Sequence, residues 1–403
     1  MIAIDEFKEE LQEFHTQGFS SDFLLGLSLN EKKEYSAEKL DNNLIELTSK
    51  SNLEQYKLNI LKIKQLGLLN FRFSLSWNDI MPDGVGLVNE TKIDFYHQIL
   101  DFCLDNNIEP FVTLFDFNLP EALEKKGGWS NREILNWFEN YIKICVDAFN
   151  LKVKHWIVLN QSSIFLKINL VLDKHFLNEK WLNNFLPTLH NTILCQSLGN
   201  KIIKAKNNTS QVGIIFSSHY IVPKTFSEKD LKAADRIDII FNRLFLEPSI
   251  GMGYPVQTIP CLKKISKYFL NEDTELLKAD FDFIAIQNCK PIVVEHDLFV
   301  PFINARIVKI NTNLNNSVPL EFELETDLIY RIIKKYSNYE AVKKIFIIEN
   351  DLQPNDETCL SIENELSKKL QVKTFLQQIL NAKNNGGKVD GYFLSFFNNF
   401  TQI

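Results

Sequence analysis

No stretch of the chain approaches the roughly 18 consecutive apolar residues that a membrane-spanning helix requires, so no membrane role is expected. Nor is there a basic stripe. The 44 Lys and Arg stand against 51 Asp and Glu, the net charge is −7, and the basic residues are dispersed, which excludes the electrostatic footprint of a nucleic-acid partner. Met1–Glu10 holds acidic residues and lacks the charged-then-apolar layout of a secretory leader, so a cytoplasmic protein is expected. The six cysteines (Cys103, Cys145, Cys195, Cys261, Cys289, Cys359) form no CxxC pair. In a reducing compartment most of them read as small buried hydrophobes. The seven histidines make no HxxxH or HExxH spacing, so neither a metal nor another cofactor is expected. With 14 Gly, 12 Pro, no linker-like segment and no internal repeat, residues 1–403 read as one domain.

What the chain does hold is apolar material: 45% hydrophobic residues, with 32 Phe. Eight short apolar runs read as strands: Phe23–Leu29, Leu69–Leu75, Glu109–Leu114, His155–Leu159, Val212–Ser217, Phe281–Ile286, Lys344–Ile348 and Gly391–Phe396. Between several of them lie segments of helical period, among them Leu53–Leu66, Thr91–Asn106 and Arg132–Phe149. Near-continuous apolar strands separated by helices are the pattern of a parallel sheet covered on both faces, and eight of them predict an α/β fold, a (β/α)₈ TIM barrel. Function in such a barrel belongs at the C-terminal strand ends. Those ends carry Arg72, Asp116, Asn160-Gln161, Gln287-Asn288-Cys289, Glu349-Asn350 and Asn398-Asn399.

Several segments carry a resemblance. They are Asn70-Phe-Arg-Phe-Ser-Leu-Ser-Trp77 with Met81-Pro-Asp-Gly84; Glu109-Pro-Phe-Val-Thr-Leu-Phe115 with Leu119-Pro-Glu-Ala-Leu123 and Lys126-Gly-Gly-Trp129; and Lys154-His-Trp-Ile-Val-Leu-Asn160. Ile347-Ile-Glu-Asn350 and Asp390-Gly-Tyr-Phe393 with Asn399-Phe400 follow. In this order and spacing, from about Phe19 onward, the chain resembles family 1 glycoside hydrolases, the β-glucosidase family, as a degenerate member. The resemblance implies retaining chemistry, in which two carboxylates roughly 5–5.5 Å apart serve as nucleophile and acid/base. Glu349 matches the nucleophile position. Gln161 stands at the acid/base position, and an amide neither protonates a leaving oxygen nor takes a proton from water; losing that group costs about 10²–10⁴ in rate.

Against the family pattern the sugar contacts are eroded as well. Asp116-Phe117 stands where the family has His-Trp, and Gln287-Asn288-Cys289 where it has Asn-Tyr-Tyr, whose tyrosine holds the nucleophile. Thr401-Gln402 replaces a sugar-gripping Glu-Trp pair, Leu394 falls at a tryptophan, and the family's first sugar-binding Gln falls near Lys33. Each lost hydrogen bond to a charged partner is worth roughly 1.5–3 kcal/mol. Glu349 then reads either as a working nucleophile or as a retained buried partner for Arg72. Arg72 and Asn160 read as substrate contacts or as structural ties. Asp116 is a new acid or a solvated loop carboxylate, and Cys289 a nucleophile or a core thiol. Trp77 and Trp129 fall in segments that the family packs structurally, and no ligand role is assigned to them. Plant thioglucosidases of the same family also carry Gln at the acid/base position but keep the sugar contacts that are missing here.

Family members continue past the last strand with a final barrel helix, whereas the present sequence stops at Ile403. At the other end Ile4, Phe7, Leu11 and Phe14 recur at helical spacing, so a helix over Asp5–His15 is expected to fill that slot. The functional expectation is a catalytically impaired pseudoenzyme that binds carbohydrate or scaffolds a protein partner in carbohydrate metabolism. The alternatives are an active retaining β-glycosidase or transglycosylase using Glu349, and an interaction module whose mouth is closed by Phe115 and Phe117.

Overall fold

The eight strands expected from the sequence close on themselves. The fold is that of a computed structural model, which describes residues 8, 18–29, 42–161, 164, 179–288, 291–308, 327–349 and 362–395. In chain order its strands are β1 (Leu24–Ser28), β2 (Asn70–Ser74), β3 (Glu109–Phe115), β4 (His155–Asn160), β5 (Gln211–Ser218), β6 (Ile221–Pro223), β7 (Phe283–Asn288), β8 (Ile292–His296), β9 (Ala305–Ile307), β10 (Ile345–Ile348) and β11 (Val389–Ser395). Eight of them form a closed parallel barrel in the order β1-β11-β10-β7-β5-β4-β3-β2. The main helices are α1 (Asn42–Gln65), α2 (Glu90–Asp105), α3 (Ile134–Phe149), α4 (Glu179–Lys206), α5 (Glu228–Asp238), α6 (Leu244–Ser249), α7 (Leu328–Ser337) and α8 (Ile362–Asn384). The expected helix over Asp5–His15 lies, apart from Lys8, outside the described residues.

Strand alternation sorts the side chains. In β2, Phe71 and Phe73 pack outward into the core between barrel and helices, while Arg72 and Ser74 share the opposite face. In β10, Phe346 and Ile348 belong to the barrel interior with Phe111, Ile157, Ile215, Phe283 and Phe393, and Ile345 and Ile347 face the helices. The interior is therefore a packed plug, as small barrels require. Cys103, Cys145, Cys195 and Cys261 are buried free thiols, and burial pushes Cys103 up to about 12. Cys359 lies outside the described residues.

A second, three-stranded sheet, β6-β8-β9, stands above the C-terminal face. β5 leads into β6 and β7 into β8, and both pairs run parallel, so this sheet prolongs the β5–β7 pairing beyond the barrel. Among the described residues no helix is long and apolar enough to cross a membrane.

Glycine at position 26 is demanded by the interior plug. A Cβ there would sit 2.6 Å from the Phe393 ring and 2.8 Å from the Asn70 carbonyl oxygen, which is backbone and cannot swing away. Gly26→Ala is expected to destabilise the protein by about 1–3 kcal/mol through overpacking. Urea unfolding would register this as a lowered midpoint, and an unchanged midpoint would mean that the plug has slack.

Candidate functional site

Arg72 projects from β2 and is completely buried. A guanidinium has five N–H donors and no way to shed its charge, so such burial demands partners on neighbouring strands. Its Nε donates to Thr113 Oγ1 on β3 at 2.9 Å, Nη1 to Ser28 Oγ on β1 at 3.3 Å, and Nη2 to Ser74 Oγ at 3.0 Å. The counter-charge is Asp116, just past β3, whose Oδ2 lies 2.7 Å from Nη2 and accepts a further 2.7 Å bond from Ser74 Oγ. Asn160, at the end of β4, donates to Asp116 Oδ1 at 2.9 Å. One network thus spans β1 to β4, which are consecutive around the barrel.

Two expectations change. The sequence points to Glu349 as the partner of Arg72, but the ion pair is with Asp116, because residue 116 follows the strand that adjoins β2. Nor is Asp116 a solvated loop carboxylate: it is 3% exposed and accepts from Arg72, Ser74 and Asn160. The tie role foreseen for Arg72 and Asn160 is what these contacts provide.

Glu349 is buried past the end of β10 and is drawn towards β11. The Tyr392 hydroxyl donates to Oε1, while the Ser395 backbone N–H (3.0 Å) and Oγ (3.3 Å) donate to Oε2. Tyr392 belongs to the core between barrel and helices. Burial, then the charge of Glu349, pushes its phenol well above the usual range, so it remains a donor. A tyrosine from β11 thus holds the carboxylate that the family holds from another strand.

Gln161 is buried as well, and its amide is turned to α6. Nε2 reaches the Phe245 carbonyl at 3.5 Å and Ser249 Oγ at 3.4 Å, both long contacts. Ser249 in turn donates to Gln196 Oε1 on α4 at 2.8 Å. Gln161 Oε1 and Gln196 Nε2 are buried without a hydrogen-bond partner, the kind of pair that an ordered water satisfies.

Gln287 is buried at the mouth end of β7, and Phe117 is half-buried after β3. Phe115 does not close the mouth. It sits in the outer aromatic cluster, edge-on to Trp129 with ring centroids 4.9 Å apart, because Trp77 and Phe138 pack beside it. Trp77 stacks on Tyr141 at 4.7 Å. Cys289, Thr401, Gln402, Lys33, Asn350, Asn398 and Asn399 lie outside the described residues. The sequence reading missed Ser28, Ser74, Thr113, Tyr392 and Ser395 as partners. The alternation Asn70-Phe-Arg-Phe-Ser74 was the available signal, since it places Ser74 on the same face as Arg72.

A closed (β/α)₈ barrel with a polar network at its C-terminal face defines a class of enzyme-like scaffolds. The family model of Glycosyl hydrolase family 1 matches residues 33–403, and the chain belongs to that family. A 1,4-beta-D-glucan glucohydrolase of Thermotoga neapolitana is 29% identical over 350 residues, spanning 86% of this chain and 81% of that one. Beta-glucosidase 42 of Arabidopsis thaliana is 30% identical over 375 residues, spanning 86% and 75%. The solved family 1 b-glucosidase from Thermotoga maritima superposes with a TM-score of 0.75 at 24% identity, covering 94% of this chain and 89% of the other, and shares the fold.

Removing one member of a buried ion pair strands the other. Asp116→Leu is expected to cost about 3–5 kcal/mol, whereas the double substitution Arg72→Met/Asp116→Leu costs less than that single one. A double-mutant cycle by chemical denaturation checks this, and additive losses would show the pair to be uncoupled.

Proposed function

We propose that this family 1 chain is a catalytically impaired pseudoenzyme, binding a carbohydrate or scaffolding a partner in carbohydrate metabolism, as a single cytoplasmic domain without a cofactor. The observation that carries the reading is Gln161 at the acid/base position, with its amide turned to Phe245 and Ser249. The engagement of Arg72 by Asp116, which stands where the family has a His, supports it. The β-glucosidase names of the relatives suggest β-glycosides as the ligand class, with Arg72, Asp116, Phe117, Asn160, Gln287, Cys289, Thr401 and Gln402 as the positions around it.

Retaining hydrolysis needs a free carboxylate on one side of the glycosidic bond and a proton donor on the other. Here the carboxylate of Glu349 accepts hydrogen bonds from Tyr392 and Ser395, while the acid/base position holds the amide of Gln161. Activated aryl 2-deoxy-2-fluoro-β-glycosides need little acid assistance and so test the nucleophile alone. Incubation with a panel of them is expected to leave the intact mass unchanged. A mass increase that disappears in Glu349→Gln would instead establish a working nucleophile and an active glycosidase.

Restoring the acid gives an independent check. Gln161→Glu is expected to raise hydrolysis of an unactivated β-glucoside by less than about tenfold, although a positioned acid/base ordinarily supplies about 10²–10⁴. A rise into that range would mean that the amide was the sole defect.

A further inference from the structure

The β6-β8-β9 sheet ends in an apolar tip that the barrel chemistry does not use. Phe226 (94% exposed) follows β6, while Leu298 (73%), Phe299 (94%) and Phe302 (56%) lie on the loop that joins β8 to β9. β6 and β8 are parallel, with Pro223 opposite Val294, so both segments emerge at the same end of the sheet. Asp230 fixes them together, accepting from Thr225 Oγ1 at 2.5 Å and from the His296 N–H at 2.8 Å.

The loop is rigid. Asn304 N–H donates to the Val300 carbonyl at 2.9 Å, Phe299 N–H to Asp297 Oδ1 at 2.9 Å, and Arg236 from α5 donates to the carbonyls of Ile303 and Asn304. Ile303 is buried as the loop's root. Phe302 is held at φ 67°, a left-handed conformation that a bulky residue adopts only where its surroundings impose it. A loop pinned at its base, strained at one aromatic and displaying three large apolar side chains is built for contact.

We propose that Phe226, Leu298, Phe299 and Phe302 form an anchor for a partner protein that offers an apolar pocket with an acidic rim. At roughly 150–250 Å² for each fully exposed aromatic, the four side chains display on the order of 500 Å². That is the size of an interface centre and falls short of the roughly 800 Å² per partner of a whole interface, so the flanking surface completes it. That flank faces outward with positive charge. Arg306 is 59% exposed and Lys224 50%, while their carboxylate partners Glu295 and Asp297 are recessed at 15% and 19%. A projecting tip offers no pocket for the same tip on a second copy. This inference deepens the scaffolding part of the proposed function. Its test leaves the barrel mouth untouched, so either can fail without the other.

The test uses the full chain to select from a phage-displayed library of a small folded domain whose concave surface is randomised. Selected domains are expected to pair bulky apolar residues with Asp or Glu, and to bind at least tenfold more weakly to Phe299→Ser, Phe226→Ser and Arg306→Glu. They should bind normally to Asp280→Asn, a surface change elsewhere. Phe226 and Phe299 are almost fully exposed, so these variants should unfold at the wild-type denaturant midpoint. Selection of no domain sensitive to the tip would overturn the proposal. So would tip-dependent binding to phosphatidylcholine/phosphatidylglycerol vesicles, or a monomer–dimer shift in sedimentation that Phe299→Ser abolishes.

Discussion

Arg72 sits inside the barrel, and the mouth is arranged to meet its charge. A buried guanidinium is stable only where its N–H groups and its charge are all answered, and the strand order makes that possible. β1, β2 and β3 are neighbours, so Ser28 and Thr113 flank Arg72 from either side and Ser74 lies two residues along its own strand. Asp116 then closes the charge balance from the end of β3, and Asn160 carries the network on to β4. The network shares the side of the barrel on which a family 1 glycosidase would seat its sugar, and it is satisfied without one. A ligand hydroxyl entering there has to displace an internal charged hydrogen bond of similar strength, so its net gain is small.

The same reasoning applies to the two positions that retaining chemistry pairs. Gln161 follows β4 and turns to α6 and Ser249, while Glu349 follows β10 and turns to Tyr392 and Ser395 on β11. Each side chain has found partners in its own neighbourhood of the barrel wall. Retaining chemistry needs the two to flank one glycosidic bond, the nucleophile facing the anomeric carbon and the acid the glycosidic oxygen. Gln161 thus brings an amide to the mouth, and the carboxylate of Glu349 is bonded to β11.

All eight barrel strands were legible because parallel strands buried on both faces are written as short continuous apolar runs, and their observed ends fall within two residues of the expected ones. The start of α1 was not, since Asn42–Asn52 is polar and lacks the period that marks Leu53 onward. β6 and β9 are three residues each, too short to hold a periodicity, so the second sheet is visible only in three dimensions. At the site, motif order identified positions and could not identify partners. Which carboxylate meets Arg72 is decided by register across β2 and β3, where Arg72 lies opposite Phe111 and Ser74 opposite Thr113. No pattern within a single strand encodes that pairing.

The second sheet extends the barrel without disturbing it. Loops after the strands of a (β/α)₈ barrel change without disturbing the core, because the plug of Phe111, Phe283, Phe346 and Phe393 is complete below them. Here the β5 and β7 strands carry on past the mouth as β6 and β8, which gives the extension the stiffness of a sheet where a loop would be mobile. That stiffness holds Leu298 and Phe299 out in solvent. An apolar side chain held in solvent by hydrogen bonds at its root costs free energy in the isolated chain. A partner that buries it recovers that cost without first having to order the loop, so binding begins from a surface already in its bound shape.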